Sequence, residues 1–305
     1  MSGLRHQAFF YEGVDEFLRE TLPFVEEGLR NGDPTVVVTT TTNLAALREG
    51  LGDDADRVAL HDAEQWYSSP GKAFSACLEF VGANSAASCI RAIGEVKWPV
   101  DWAEGIEEYA HYEAVFNVIA REAPVYVVCP YDVASLPDGI IAHARSTHPE
   151  IRTLGKVQTS DGYTDPDEYC SRLASRVLAT PSTEPIQVTP DLADLRALVA
   201  ARARAANVPP HRIPELVLAV HEVAANALTH CDGSTWARLW TDDRRFVCDI
   251  DDDGPGLSET TAGYIPPDPA GERGRGLWLA RQVCDLVEVL SRGGITRVRL
   301  SMCRA

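Results

Sequence analysis

The sequence predicts two folds in series: a mainly parallel α/β domain in front and an α+β two-layer sandwich behind it. Three observations lead there. At 305 residues the chain exceeds what one hydrophobic core usually organises. Short β-rich runs alternate with helical stretches as far as about residue 175, the pattern of a parallel sheet with crossover helices. Beyond that point, helices group before and between strands close enough to pair as antiparallel hairpins.

The elements follow in order. His6 to Tyr11 and Thr35 to Thr40 are β-rich, and between them Phe17, Leu18, Leu22, Val25 and Leu29 recur at helical spacing, so the chain opens as strand, helix, strand. Arg57 to Leu60, Ala87 to Ile93 and Val125 to Cys129 are further short strands, with a helix from Trp102 to Ala120. The run Thr180-Pro-Ser-Thr-Glu-Pro-Ile-Gln-Val-Thr-Pro190 can neither continue a helix nor build a core. It places the boundary between domains at 1–178 and 190–305, with a linker at 179–189. Asp191 to Ala206 and Pro210 to His230 then predict two helices, the first capped by Thr189 or Asp191. Strands are expected at Thr235 to Trp240 and Phe246 to Asp251, and a Gly/Pro-rich loop at Gly256 to Gly274. A helix to about Cys284 follows, with closing strands near Val287 to Leu290 and Thr296 to Ser301.

The bulk numbers narrow the function class. The net charge is -17, and residues 1–180 hold 28 acidic and 14 basic side chains against 17 and 14 in the remainder. So acidic a surface repels phosphate backbones, and direct nucleic-acid binding is not expected. No apolar run is long enough to cross a membrane and no signal-peptide core follows Met1, which predicts a cytoplasmic protein. The eight cysteines lack any Cys-x-x-Cys pair or regular spacing, which disfavours a zinc site or a disulfide framework.

Three short elements in the last third carry chemistry. In Glu222-Val-Ala-Ala-Asn226 the i, i+4 spacing sets a carboxylate and a carboxamide on one helix face. The amide oxygen is a hard ligand suited to Mg²⁺, and the carboxylate can orient or deprotonate a nucleophile. Asp252-Asp-Gly-Pro-Gly256 follows a strand. Its leading carboxylate can accept from an exocyclic amine, while Gly254 and Gly256 let a planar base approach the backbone. Gly274-Arg-Gly276-Leu277 opens a helix, where backbone N–H groups and the positive helix end suit phosphates. Each is weak alone. Glu and Asn on one face are most often merely solvated, and an Asp-rich turn is commonplace.

In this order the three resemble the N, G1 and G2 boxes of the superfamily that includes gyrase, histidine kinases and anti-sigma-factor serine kinases. Gly294-Ile-Thr296 resembles its closing Gly-x-Thr. The resemblance spans about Pro190 to Met302. It implies ATP and Mg²⁺ as cofactors, Asp252 on the adenine amine, Asn226 on Mg²⁺, Gly274, Gly276 and Leu277 along the phosphates, Thr296 supporting Asp252, and Glu222 as general base. The short helical stretch before Pro209 leaves no room for a histidine-kinase dimerisation hairpin, and His221 lies inside the N-box helix. The run from Gly274 to Asp285 is most similar to the anti-sigma regulators, whose partners are a sigma factor or a serine-bearing antagonist, and which commonly form homodimers.

Residues 1 to about 175 resemble the MEDS sensory domain, a module similar to the RecA fold. The matching runs are His6 to Tyr11, Glu27-Gly-Leu29, Gly94-Glu-Val-Lys-Trp98, Tyr112 to Asn117, Val128-Cys-Pro-Tyr-Asp132 and His148-Pro149. A RecA-type nucleotide site needs a Gly-rich loop ending in Gly-Lys after the first strand, and that turn reads Tyr11-Glu-Gly-Val-Asp15 instead. The resemblance therefore implies sensing of an unknown small molecule without ATP hydrolysis. Candidate pocket residues are Glu95 and Trp98 at a strand end, joined by Tyr112 and Glu113 on a helix face. The competing reading pairs Glu95 with Lys97 or an Arg and makes Trp98 core. Cys129 reads as a buried strand cysteine or as a redox sensor. Together the resemblances imply a signal-responsive anti-sigma regulator. The alternatives are a non-catalytic ATP-dependent partner-binding module and a degenerate sensor histidine kinase.

Overall fold

The computed structural model describes residues 3–305 except 154, 177–179, 232–233, 255, 258–259, 268–274 and 293, and the side chain of 292. The chain divides into two compact units, one running to Ser68 and from Ala76 to Tyr169, the other comprising Ser69–Ser75 and Cys170–Ala305.

The first unit is built on β1 (Arg5–Tyr11), β2 (Thr35–Thr39), β3 (Ala59–Asp62), β4 (Ile90–Gly94), β5 (Val125–Asp132), β6 (Glu150–Thr153) and β7 (Lys156–Thr159). They form one sheet in the order β3-β2-β4-β5-β1-β6-β7, parallel throughout except for the β6/β7 pair. Its helices are α1 (Gly13–Asn31), α2 (Thr41–Leu51), α3 (Ala63–Trp66), α5 (Ala103–Ile119) and α6 (Asp138–Thr147), while α4 (Pro70–Ala83) and α7 (Pro166–Ala174) each divide between the two units along the chain. β2 and β5 are buried almost end to end, as strands covered on both faces must be. Phe17, Phe24 and Val25 of α1 join Val37, Ile93 and Val128 of the sheet in one apolar cluster. The fold is thus the mainly parallel α/β sheet that the alternating pattern predicts; the RecA likeness remains an attribute of the resemblance.

The turn after β1 differs from a phosphate cradle in chemistry as well as sequence. Glu16 reaches back to accept from the Glu12 amide at 2.9 Å, and Asp15 joins it in the first turn of α1. Two carboxylates occupy the helix end where a phosphate would seek positive charge.

The second unit holds a five-stranded sheet in the order β11-β12-β10-β9-β8, all neighbours antiparallel. Its strands are β8 (Ile186–Gln187), β9 (Thr235–Thr241), β10 (Arg245–Asp252), β11 (Leu286–Arg292) and β12 (Ile295–Cys303), with helices α8 (Ala193–Ala205), α9 (Ile213–His230) and α10 (Arg275–Val283). Alternate residues Phe246, Cys248 and Ile250 of β10 and Val298, Leu300 and Met302 of β12 pack under Leu216, Val220 and Val223 of α9. This is the two-layer α+β sandwich read from the pattern.

Two details depart from it. The expected linker 179–189 contains β8, which pairs Ile186 with Ala237 and Gln187 with Trp236, and Val188 enters the core. An edge strand of two residues leaves too short an alternation to be legible among prolines. At the start of α8 neither expected residue caps the helix: Leu192 holds the N-cap position, Asp191 accepts from the Ala193 amide at 2.9 Å in a local turn, and the Thr189 hydroxyl donates to the Asp191 carbonyl at 3.1 Å.

Candidate functional site

α9 and α10 pack closely because α10 presents no side chain at Gly276. A Cβ there would stand 2.4 Å from Asn226 Nδ2 and 3.2 Å from the Glu222 carbonyl. The glycine therefore brings the N-terminal turn of α10 against the Glu222/Asn226 face of α9, with Asn226 exposed and Glu222 half-buried. Leu277 packs against the core and touches the loop before α10, where Gly263 approaches its backbone. Gly274 lies outside the described residues.

Asp252 stands at the end of β10 on the helix-facing side, in line with Phe246, Cys248 and Ile250. Its Oδ1 accepts from the Gly254 amide at 3.0 Å. The next carboxylate, Asp253, is consumed locally by the Cys231 thiol at 2.6 Å and the Ser234 amide at 2.9 Å. The turn also packs by the end of α9, since a Cβ on Gly254 would lie 3.3 Å from the His230 carbonyl. Gly256 has φ +87°, a left-handed conformation favouring glycine, and a Cβ there would meet Ser291 Oγ at 2.7 Å and Thr296 Oγ1 at 3.9 Å.

Register adds a residue that motif reading missed. Asp252 is paired with Thr296 on β12 and with Thr235 on β9, so the three side chains share one sheet face. Both threonine hydroxyls are buried and have no hydrogen-bond partner among the described residues. Thr235 opens β9 and carries no motif of its own; only strand pairing reveals it. Burial raises the Asp252 carboxyl above its ordinary pKa, with Asp253 and Asp251 adding to the rise and the Gly254 amide opposing it. Two unsatisfied hydroxyls beside a reluctantly ionised carboxylate form a polar notch suited to a group carrying N–H donors and acceptors.

The loop before α10 is anchored by Arg281. Its guanidinium lies over the Tyr264 ring at 4.0 Å, donates to the Ala262 carbonyl at 3.4 Å and reaches the Val287 carbonyl at 3.0 Å.

In the first unit the four pocket candidates separate. Glu95 is enclosed by hydrogen bonds, accepting from the hydroxyls of Tyr11 and Thr39, from the Thr40 amide at 3.2 Å and from Asn43 Nδ2 at 3.1 Å. Lys97 pairs with Glu64 rather than with Glu95. Trp98 is buried, its ring 6.1 Å from those of Tyr109 and Tyr131. Tyr112 and Glu113 line a separate apolar cavity of about 50 Å³, together with Cys77, Tyr67, Phe116 and Cys129. Burial pushes the Cys77 thiol up to about 11 and the Cys129 thiol well above its ordinary value, so neither is a ready thiolate in these surroundings.

Comparison with known proteins parallels this division. Residues 5–149 match the MEDS family (MEthanogen/methylotroph, DcmR Sensory domain), and residues 186–302 match the histidine kinase-like ATPase domain family. No curated protein matches the chain. Among the solved structures that match is the mycobacterial sensor histidine kinase MprB, 17% identical, covering 39% of this chain and 97% of that one with a TM-score of 0.26. No described helix is long and apolar enough to cross a membrane.

Proposed function

Because the chain joins a MEDS sensory domain to a histidine kinase-like ATPase domain, we propose that it is a signal-responsive anti-sigma regulator. A small-molecule signal at the front domain controls an ATP-binding rear domain, which sequesters a sigma factor or phosphorylates a serine of its antagonist. The supporting observation is the meeting of Asn226 with Gly276 in the same unit as Asp252, whose two neighbouring threonine hydroxyls have no hydrogen-bond partner among the described residues.

The residues fit ATP and Mg²⁺. Asp252, Thr235 and Thr296 offer acceptors and donors for the base edge, and Gly254 and Gly256 keep Cβ atoms away from it. Asn226 supplies a hard oxygen for Mg²⁺, and the α10 N-terminus suits the phosphates. When bound, ATP supplies the phosphoryl group. Glu222, one turn from Asn226, would orient and deprotonate an acceptor serine hydroxyl, so that the protein's share is positioning and electrostatics.

The test is a phosphotransfer assay with Mg-ATP and candidate antagonists, paired with calorimetry. Glu222→Gln should keep ATP affinity and slow transfer by about 10² to 10⁴ fold, the range for a lost general base. Equal transfer by the variant removes the catalytic assignment; absence of ATP uptake by the wild-type chain removes the whole reading.

A further inference from the structure

Four metal-ligating side chains converge in the first unit from four separate elements: His6 on β1, Glu113 on α5, Cys129 on β5 and His148 just after α6. All are buried, and their ligand atoms lie within 4.8 Å of one another. His6 Nε2 stands 3.2 Å from Glu113 Oε2 and 3.4 Å from Cys129 Sγ, and His148 Nε2 stands 3.6 Å from the same carboxylate oxygen. Ligand bonds of about 2.0–2.3 Å in a tetrahedron give edges of roughly 3.3–3.8 Å, so these separations are close to those of a coordination shell.

The surrounding hydrogen bonds orient the donors. Asn117 Nδ2 donates to the carbonyls of Glu113 at 3.1 Å and Thr147 at 2.7 Å, which turns its Oδ1 toward His6 Nδ1 at 3.0 Å. His6 therefore carries its hydrogen on Nδ1. His148 Nδ1 faces the Ala144 carbonyl at 2.9 Å and carries its hydrogen there. Each imidazole thus turns Nε2 toward the same carboxylate oxygen; His6 Nε2 also meets the Cys129 sulfur, while His148 Nε2 has no hydrogen-bond partner among the described residues. One added proton on His6 would satisfy a single contact and leave His148 facing the carboxylate unpaired. One divalent cation would satisfy all four groups, and the outward Nδ1 hydrogen bonds are the supports that ligating histidines ordinarily have.

We propose that His6, Glu113, Cys129 and His148 hold a divalent transition-metal ion of the zinc class. Two imidazole nitrogens, a carboxylate oxygen and a thiolate form a borderline-soft set that prefers such an ion to Mg²⁺ or Ca²⁺. As the sulfur–metal bond forms, the Cys129 proton leaves to solvent. His6, Glu113 and Cys129 also line the apolar cavity, so the ion forms part of its wall and meets whatever small molecule enters it. The site stands independently of the nucleotide reading.

The test uses the untagged full-length protein without nucleotide. Elemental analysis should find about one zinc per chain, and Co²⁺ exchange should give thiolate-to-metal charge-transfer absorption. Cys129→Ser should lose that absorption, and His148→Ala should bind the ion at least about tenfold more weakly. Cys77→Ser, altered in the same cavity but outside the four, should keep both signals. Wild-type protein that retains less than about a tenth of an ion per chain after incubation with Zn²⁺ or Co²⁺ overturns the proposal, whatever the variants do. So does an unchanged cobalt spectrum in Cys129→Ser.

Discussion

At the scale of single residues, the rear site sets stability against binding. The Asp252 carboxyl titrates above its unfolded value, chiefly because it is buried. As pH rises through that window the unfolded chain loses its proton first, so the folded state holds more protons and stability falls with rising pH. Asp252→Asn should therefore match or exceed wild type in thermal stability at pH 7, and its advantage should vanish below the unfolded carboxyl pKa. Calorimetry should show its ATP affinity lower by about 10 to 100 fold, the cost of losing a charged acceptor. Gly276 makes the complementary case. Its missing Cβ faces the Asn226 side chain, which can swing aside, and the Glu222 carbonyl at 3.2 Å, which can yield only by a small shift of the helix, so Gly276→Ala should lower the melting temperature by only a few degrees while ATP affinity falls at least about tenfold. An equal loss of both would mean that α10 itself moved.

At the scale of elements, β10 and β12 carry opposite chemistries on their two faces. The helix side is apolar, but the reverse side is a ladder of paired charges. Asp249 and Arg299 face each other in register as a bidentate pair at 2.7 and 2.9 Å, both almost wholly buried. Asp251 pairs with Arg297 and Arg238 one step along, and Thr180 Oγ1 accepts from Arg297 at 2.7 Å and Arg299 at 2.9 Å. Antiparallel sheets often leave one face to water; here segment residues Arg176 and Thr180 lie against it. Arg299→Ala should cost about 3–5 kcal/mol by stranding Asp249, whereas Asp249→Leu combined with Arg299→Met should recover most of that loss in urea unfolding. Alternating charges in β10 and β12 look like ordinary solvent-facing positions in sequence, and nothing short of register shows them to be partners.

At the scale of the whole molecule, the second unit begins earlier than composition suggests. Arg176 reaches the buried Glu288 at 2.6 Å, and Ile186 to Val188 extend the sheet and core. A fragment beginning at residue 190 should consequently melt at least about 10 °C below one beginning at residue 170, by calorimetry, since it removes the Arg176 ion pair from a buried carboxylate and uncovers an edge strand. The net charge of -17 acts on the chain as a whole. It predicts no retention on heparin or DNA at physiological salt, read by column elution.

Local periodicity and glycine placement were enough to determine the mainly parallel α/β and the α+β classes and most strand and helix positions, and to single out Asn226, Asp252 and Gly276 as candidates. Each of these is written in residues adjacent along the chain or one helical turn apart. Strand pairing placed Thr235 beside Asp252 and moved Ile186 out of the expected linker, and the packing of strands and helix α2 enclosed Glu95 with Tyr11, Thr39 and Asn43. The same holds for His6, Glu113, Cys129 and His148, which have no ligand spacing in sequence because each comes from a different element. Contacts across a sheet join residues far apart in the chain, and only the folded backbone specifies which of them face one another.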